Sequence, residues 1–214
     1  MSEELPHLNP VEARVLGCLI EKKELTPDIY PLTLNALLAA ANQKTSREPV
    51  MALQPVEISR ALSSLEQKEL ARRAFASRVE RYEHLAGRRF NLTVPQAALL
   101  ALLLLRGPQT LNELTMRTAR MANFGSPDDA RRELDLLVGR RPPLVKEIGR
   151  APGQREDRFA HLLSGDVEVS DLVASPAPRT ASPASDGLEE RISALEEKLA
   201  ALEARLDALS GNGG

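Results

Sequence analysis

The stretch RYEHL at residues 81–85 returns as RFAHL at residues 158–162. The copies agree at four of five positions when the aromatic residues Tyr82 and Phe159 are treated as equivalent. Each copy has the length and composition of a short strand. Because the chain has only 3 histidines and places two of them in this repeat, the sequence predicts a structural duplication.

The segments that precede the two copies also correspond. Each copy ends a predicted hairpin, and the clearer hairpin has a first strand at residues 144–148 and a Pro-Gly turn. Each hairpin follows a predicted helix with apolar residues at helical spacing. Aligning Pro55 with Pro127 superimposes the apolar positions of these helices and pairs Arg60 with Arg132.

Two further helices are predicted earlier in each half. In the first half they are NPVEARVLGCLIEKK and LTLNALLAAAN, the latter from Leu32; in the second they are VPQAALLALLLLRG and TLNELTMRTARM, the latter from Thr110. Three helices followed by two strands is the order of a winged helix, a helix-turn-helix variant. The predicted fold is therefore mainly α with small β-hairpins (α+β), with winged-helix domains at residues 1–90 and 91–166.

Each repeated strand is predicted to direct its aromatic residue towards the helices. Tyr82 and Phe159 would pack inward, and the arginine and histidine of each copy would face outward. The first half also contains about 13 extra residues, 42–54, between its second and third helices. Long connections are often functional, but an ordinary surface loop explains this segment as well.

Several long stretches closely resemble the YceH-like family of uncharacterised bacterial proteins. They are EARVLGCLIEKKELTPDIYPLTLNALLAAANQKTSREPVM, SRVERYEH, LLLLRGPQTLNEL and PPLVKEIGRAPGQREDRFAHLLSGD. The resemblance covers about residues 8–166. It implies two tandem winged-helix domains in each chain and supplies neither a function nor a catalytic residue.

The C-terminal region has a different pattern. Residues 167–187 contain the Pro/Ser/Ala-rich stretch ASPAPRTASPASDG, which indicates a flexible linker. Residues 188–210 are predicted to form a coiled-coil helix, because apolar residues step alternately by four and three positions over three heptads. This heptad seam comprises Leu188, Ile192, Leu195, Leu199, Leu202, Leu206 and Leu209.

Charges beside the seam favour a parallel pair. With Leu188 at position d, the e positions 189, 196 and 203 are glutamates and the g positions 191, 198 and 205 are lysine or arginine. In a parallel homodimer, Arg191 would face Glu196 and Lys198 would face Glu203, whereas an antiparallel pair would bring like charges together. The alternative is an amphipathic helix that folds back on its own domain.

Composition limits the protein class. Residues 1–165 carry 24 basic and 20 acidic residues, and residues 166–214 carry 4 and 10. A mildly basic N-terminal part permits nucleic-acid binding without requiring it. The single cysteine, Cys18, excludes an intramolecular disulfide, and the longest apolar run, residues 97–105, is far shorter than the roughly 20 residues of a membrane span. We expect a cytoplasmic protein that does not enter a membrane.

No enzymatic motif is present in the sequence. It lacks a P-loop, a dinucleotide-binding glycine pattern and a nucleophile elbow, and its histidines have no metal-ligand spacing. We therefore expect a protein without catalytic activity, metal or cofactor.

Binding to double-stranded DNA is the first functional hypothesis. The third helix of each half would enter the major groove, and the hairpins would contact phosphate groups or the minor groove. The candidate nucleic-acid-binding residues are Ser59, Arg60, Ser63, Arg72, Arg73, Arg131, Arg132, Arg140 and Arg141. The competing hypothesis is an adaptor that binds an unknown protein partner, because the third helices also carry Glu57, Glu66, Asp128, Asp129 and Asp135, which would repel phosphate.

Overall fold

The computed structural model describes residues 5–74, 79–150 and 156–167, together with residues 194, 195, 198 and 202. The chain combines α-helices with small antiparallel sheets. The first half contains α1 (Pro10–Leu25), β1 (Leu32–Thr33), α2 (Leu34–Ala41), α3 (Pro55–Gln67), β2 (Ala71–Ala74) and β3 (Arg81–His84). After α4 (Ala86–Arg89), the second half contains α5 (Val94–Arg106), β4 (Gln109–Thr110), α6 (Leu111–Thr118), α7 (Pro127–Val138), β5 (Val145–Ile148) and β6 (Arg158–His161).

The two halves share one order of elements and one sheet topology. Their sheets have the strand orders β1-β3-β2 and β4-β6-β5, so the repeated strand is central in each. The register also corresponds, since Leu32 lies opposite Tyr82 and Gln109 lies opposite Phe159. The short strands β1 and β4 occupy positions where a helix start was predicted, because two residues are too few to show an alternating pattern.

Local sequence explains where the helices begin. Side chains of Asn9, Thr33, Thr93, Thr110 and Ser126 accept hydrogen bonds from first-turn backbone amides. These amides have no partner within the helix, and a capping side chain stabilises it by about 1 kcal/mol. Helix α7, for example, begins at Pro127 directly after its capping residue Ser126.

The inward placement of the two aromatic residues is confirmed, but the predicted orientation of the histidines is wrong. Tyr82 and Phe159 are buried, and His84 is also buried. Alternate residues of a strand share a face, so His84 lies on the same side of β3 as Tyr82. The arginines are not free at the surface either: Arg81 Nη1 donates to Pro31 O and Arg158 Nη1 to Pro108 O, each over 2.9 Å.

The two halves do not have separate cores. Their buried apolar residues form one contiguous cluster, in which α1 packs against α5. The helices come so close at Gly17 that a Cβ there would lie 2.8 Å from Leu105 Cγ. The Glu48 amide also donates to Leu105 O over 2.8 Å, which attaches the segment at residues 42–54 to α5.

Candidate nucleic-acid interface

Helix α3 exposes a mainly polar face on which Arg60 is the only charged side chain. Its inner side buries Ile58, Leu62 and Leu65, and this burial fixes which side faces solvent. The exposed side chains recur at helical spacing along one stripe, which we call the α3 face: Val56, Ser59, Arg60, Ser63 and Gln67. The structure thus brings together the predicted Ser59, Arg60 and Ser63 on one side of α3.

The carboxylates of α3 have partners within the protein. Glu57 Oε2 accepts from the Gln54 amide over 2.8 Å, in a capping box at the start of the helix. Glu66 lies 3.4 Å from Arg73 Nε on β2. Arg60, by contrast, makes no side-chain hydrogen bond or ion pair with any described residue. The α3 face, which is described in full, therefore carries a cation and no carboxylate.

The predicted arginines of the first hairpin are engaged within the protein. Arg72 Nε donates to Glu83 Oε1 on the neighbouring strand. Arg73 Nη1 donates to Glu80 Oε1 over 3.0 Å, and the carboxylates of Glu66 and Glu80 raise the pKa of Arg73. These pairs are exposed and individually weak, but each places a negative charge beside the cation.

The arginines of α7 are also paired. Arg131 forms two hydrogen bonds with the Glu147 carboxylate, over 2.7 and 2.9 Å, and a third with Asp135 Oδ1 over 2.9 Å. Its guanidinium carbon also lies 5.1 Å from the centre of the Phe159 ring. Arg132 pairs with Asp129 one turn earlier. Little of the positive charge of α7 is therefore available to an external phosphate.

The last two candidate residues, Arg140 and Arg141, lie in the loop after α7 and differ in their contacts. Arg140 Nη2 donates to Phe90 O, which ties this loop to the end of α4. Arg141 is exposed and has no side-chain partner among residues that the structure describes. Of the nine candidates, only the three on α3 and Arg141 are free of internal ion pairs and long-range contacts.

The segment at residues 42–54 has a structural role. Arg47 is buried, and its Nη1 and Nη2 reach the two carboxylate oxygens of Glu21 on α1, over 3.0 and 2.5 Å. Arg14, also on α1, donates from Nη1 to Ala41 O over 3.0 Å and from Nη2 to Pro49 O over 2.6 Å. Sequence spacing gave no sign of these bonds, because the partners lie 26 to 35 residues apart.

A cleft of about 590 Å³ adjoins the C-terminal end of α3. Its lining includes carboxylates and guanidinium groups in comparable number: Glu66, Glu69, Arg72, Arg88 and Arg89, beside Leu85. Arg72 pairs with Glu83, and Arg89 lies 3.9 Å from Glu69. This mixture gives the cleft no strong preference for an anion or a cation.

Of the two histidines of the repeat, His84 is buried and His161 is half-buried. Both ring nitrogens of His84 lack a hydrogen-bond partner, and the ring meets Tyr30 edge-on with centroids 6.3 Å apart. Burial and the charge of Lys23 lower the pKa of His84 to about 4, and burial lowers that of His161 to about 4. No cluster of potential metal ligands occurs among the described residues.

Little of the predicted oligomerisation seam lies within the described residues. Leu195 and Leu202 are helical, and 62% and 59% of their surface is exposed. They occupy successive d positions, which agrees with an uncovered apolar stripe. The remaining seam residues (Leu188, Ile192, Leu199, Leu206 and Leu209), most of the linker, and the hairpin residues 75–78 and 151–155 lie outside the described residues.

Among the residues that the structure describes, no helix is both long and apolar enough to cross a lipid bilayer. Residues 8–154 match the family described as "Protein of unknown function, DUF480". A UPF0502 protein of Mesorhizobium japonicum is 67% identical over 186 residues, which cover 87% of this chain and 88% of the relative. A UPF0502 protein of Xanthomonas campestris is 52% identical over 189 residues, which cover 87% of this chain and 84% of the relative. A UPF0502 protein of Stenotrophomonas maltophilia is 51% identical over 171 residues, which cover 80% of this chain and 78% of the relative. The resemblance to the YceH-like family is thereby confirmed, and the chain belongs to the DUF480/UPF0502 family of uncharacterised bacterial proteins.

Proposed function

We propose that this protein is a cytoplasmic, DNA-binding, transcription-regulator-like protein. In this proposal each set of three helices and three strands is a winged helix, and α3 enters the major groove of a duplex. The observation that carries the proposal is the α3 face, where Arg60 lies among uncharged side chains and the carboxylates of the helix have internal partners.

The side chains of the α3 face suit the edges of base pairs. Arginine forms two hydrogen bonds with guanine, glutamine does so with adenine, and serine bonds to either. Arg60 and Gln67 provide the first two groups, and Ser59 and Ser63 the third. Val56, 53% exposed, offers an apolar contact for a thymine methyl group. An α-helix about 10–12 Å across fits a major groove of about 12 Å.

The seam at residues 188–210 would join two copies of the chain in a parallel coiled coil. The exposure of Leu195 and Leu202 supports this arrangement over a helix folded back on its own domain. A dimer would present two α3 faces to one duplex. It would therefore favour a DNA site with twofold symmetry.

Binding to genomic duplex fragments tests the proposal. Fluorescence anisotropy should detect complexes at low salt, with weaker binding at physiological salt, because phosphate contacts release counterions. Arg60→Glu should abolish the complex, since it reverses the only charge of the α3 face. Absence of binding by the unaltered protein at both salt concentrations would end the DNA-binding proposal.

The protein adaptor is the second candidate function. It is favoured by the internal pairing of the α7 arginines and by Leu136, which is 58% exposed on the same helix. An apolar side chain beside neutralised charges suits a protein surface better than a phosphate backbone. Affinity capture from bacterial lysate separates the two functions, because a direct protein partner stays bound after nuclease treatment and a DNA-bridged one does not.

A further inference from the structure

The corresponding third helices, α3 and α7, have different surfaces. Arg60 and Arg132 occupy equivalent positions when Pro55 is aligned with Pro127. Both arginines are exposed, but only Arg132 has an acidic partner, Asp129. A duplication that kept its topology has therefore diverged on the surface that a DNA-binding helix would use.

Charge makes α7 a poor partner for DNA. It carries four carboxylates (Asp128, Asp129, Glu133 and Asp135) and two arginines, and is thus net negative. The pair between Arg132 and Asp129 is exposed and could exchange its partner, but the carboxylates would stay beside the phosphates. Arg131 is more firmly held, because it bonds to both Glu147 and Asp135 and lies against the Phe159 ring.

The second half contacts the first half through helix α5. Its helix α5 packs on α1 through Gly17, and Leu105 O accepts from the Glu48 amide. Arg106 Nη2 donates to Ser46 Oγ over 2.8 Å. Residues 46–48 thus connect α5 to the segment that leads directly into α3. The second half thus holds residues 46–48, which precede α3 in the chain, in a fixed position against α5.

We infer that only the first half reads DNA, through the α3 face, and that the second half acts as its support. This inference rests on the proposed function. The ligand is duplex DNA, recognised mainly at its base edges, because Arg60 is the one cation of the α3 face. Arg60, Ser63 and Gln67 determine the base preference, and α7 contributes none.

Matched substitutions at the equivalent arginines test this asymmetry. A preferred duplex is first enriched from a random library with the full-length chain. Arg60→Ala should weaken its binding by about ten-fold or more and relax the base preference, as expected for loss of a bidentate base contact. Arg132→Ala should leave affinity and preference within about two-fold of the unaltered protein, because α7 makes no base contact.

The possible outcomes separate the inference from the proposed function. Equal losses in the two variants would overturn the asymmetry and leave DNA binding intact. If Arg60→Ala binds normally, the α3 face is not the reader, and the inference fails. If the unaltered protein enriches no duplex, the proposed function fails together with the inference. Circular dichroism and thermal melting serve as folding controls. Because both substituted side chains are exposed, the two variants should have the spectrum and melting temperature of the unaltered protein.

Discussion

Arg47 and Glu21 form a buried, two-pronged ion pair between the segment at residues 42–54 and α1, with Nη1–Oε1 and Nη2–Oε2 distances of 3.0 and 2.5 Å. Gln43 Oε1 and Ala40 O accept further hydrogen bonds from the same guanidinium. Burial opposes the charge on Glu21, but Arg47 and Lys22 outweigh it and hold the pKa of that carboxyl below its usual value. The segment that most resembled a free loop is therefore anchored in the interior.

Arg47→Met should destabilise the protein by about 3–5 kcal/mol, because it leaves the Glu21 carboxylate buried without its main partner. Urea unfolding measures the loss. Adding Glu21→Leu to Arg47→Met should recover part of it, since the unpaired charge is then removed. Arg132→Ala, which breaks an exposed pair, is the control and should cost at most about 1 kcal/mol. If Arg47→Met costs no more than this control, the buried pair is not required for stability.

Gly17→Ala should destabilise the contact between α1 and α5. The new Cβ would lie 2.8 Å from Leu105 Cγ and 3.2 Å from Leu104 Cβ, both in the core. Overpacking of this kind costs about 1–3 kcal/mol, against a gain of about 1 kcal/mol in helix propensity. We therefore expect a lower melting temperature.

Gly87→Ala is the matched control for Gly17→Ala. Gly87 is also helical, but the nearest atom to its new Cβ is His84 Cε1 at 4.0 Å, an ordinary contact. The helix-propensity gain should then dominate, so stability should stay constant or rise. Equal melting temperatures for the two variants would contradict the close approach of α1 and α5.

Stability should fall on acidification from about pH 6.5. The pKa values of His84 and His161 are about 4 in the folded protein, against 6.5 when unperturbed. Between these values the unfolded chain binds protons that the folded chain does not, so lowering the pH favours unfolding. The loss from pH 6.5 to pH 5 should be about 1.5 kcal/mol for each histidine.

Urea unfolding at several pH values checks this dependence. His84→Gln and His161→Gln should each flatten the profile between pH 6.5 and pH 5, because glutamine does not titrate. The exposed-site variant Arg132→Ala should keep the full slope. A flat profile in the unaltered protein would mean that the two imidazoles take up protons as readily in the folded state as in the unfolded chain.

Leu195→Glu combined with Leu202→Glu should convert a dimer into a monomer in sedimentation equilibrium. Both leucines are exposed in the single chain, and two added charges at d positions would have to be buried in the paired seam. Ala194→Glu is the control, because it adds a charge at an outward c position next to Leu195. A monomeric unaltered protein at micromolar concentration would refute the coiled-coil proposal.

Periodic features of the fold could be predicted from sequence. Ile58, Leu62 and Leu65 repeat at helical spacing and are buried together in α3. Tyr82 and Phe159 stand in repeated pentapeptides and lie on the two central strands. These signals are local, because the periodic burial of one face depends only on residues within a single helix or strand.

Contacts between distant segments escaped prediction. The pair of Arg131 with Glu147 joins α7 to β5, and that of Arg47 with Glu21 spans 26 residues. No spacing rule connects such positions, so arginines that looked available for DNA were in fact neutralised. The placement of Gly17 against Leu105 is similar, since one glycine within a helix does not reveal which surface approaches it.

The packing of α1 on α5 has a consequence for the order of events during synthesis. Helices α2 and α3 cover part of α1, but the side of α1 that includes Gly17 has no cover until Val94–Arg106 has been synthesised. During translation the first half therefore exposes this side of α1 until much of the second half has followed, and apolar surface that is transiently exposed in this way is prone to aggregation.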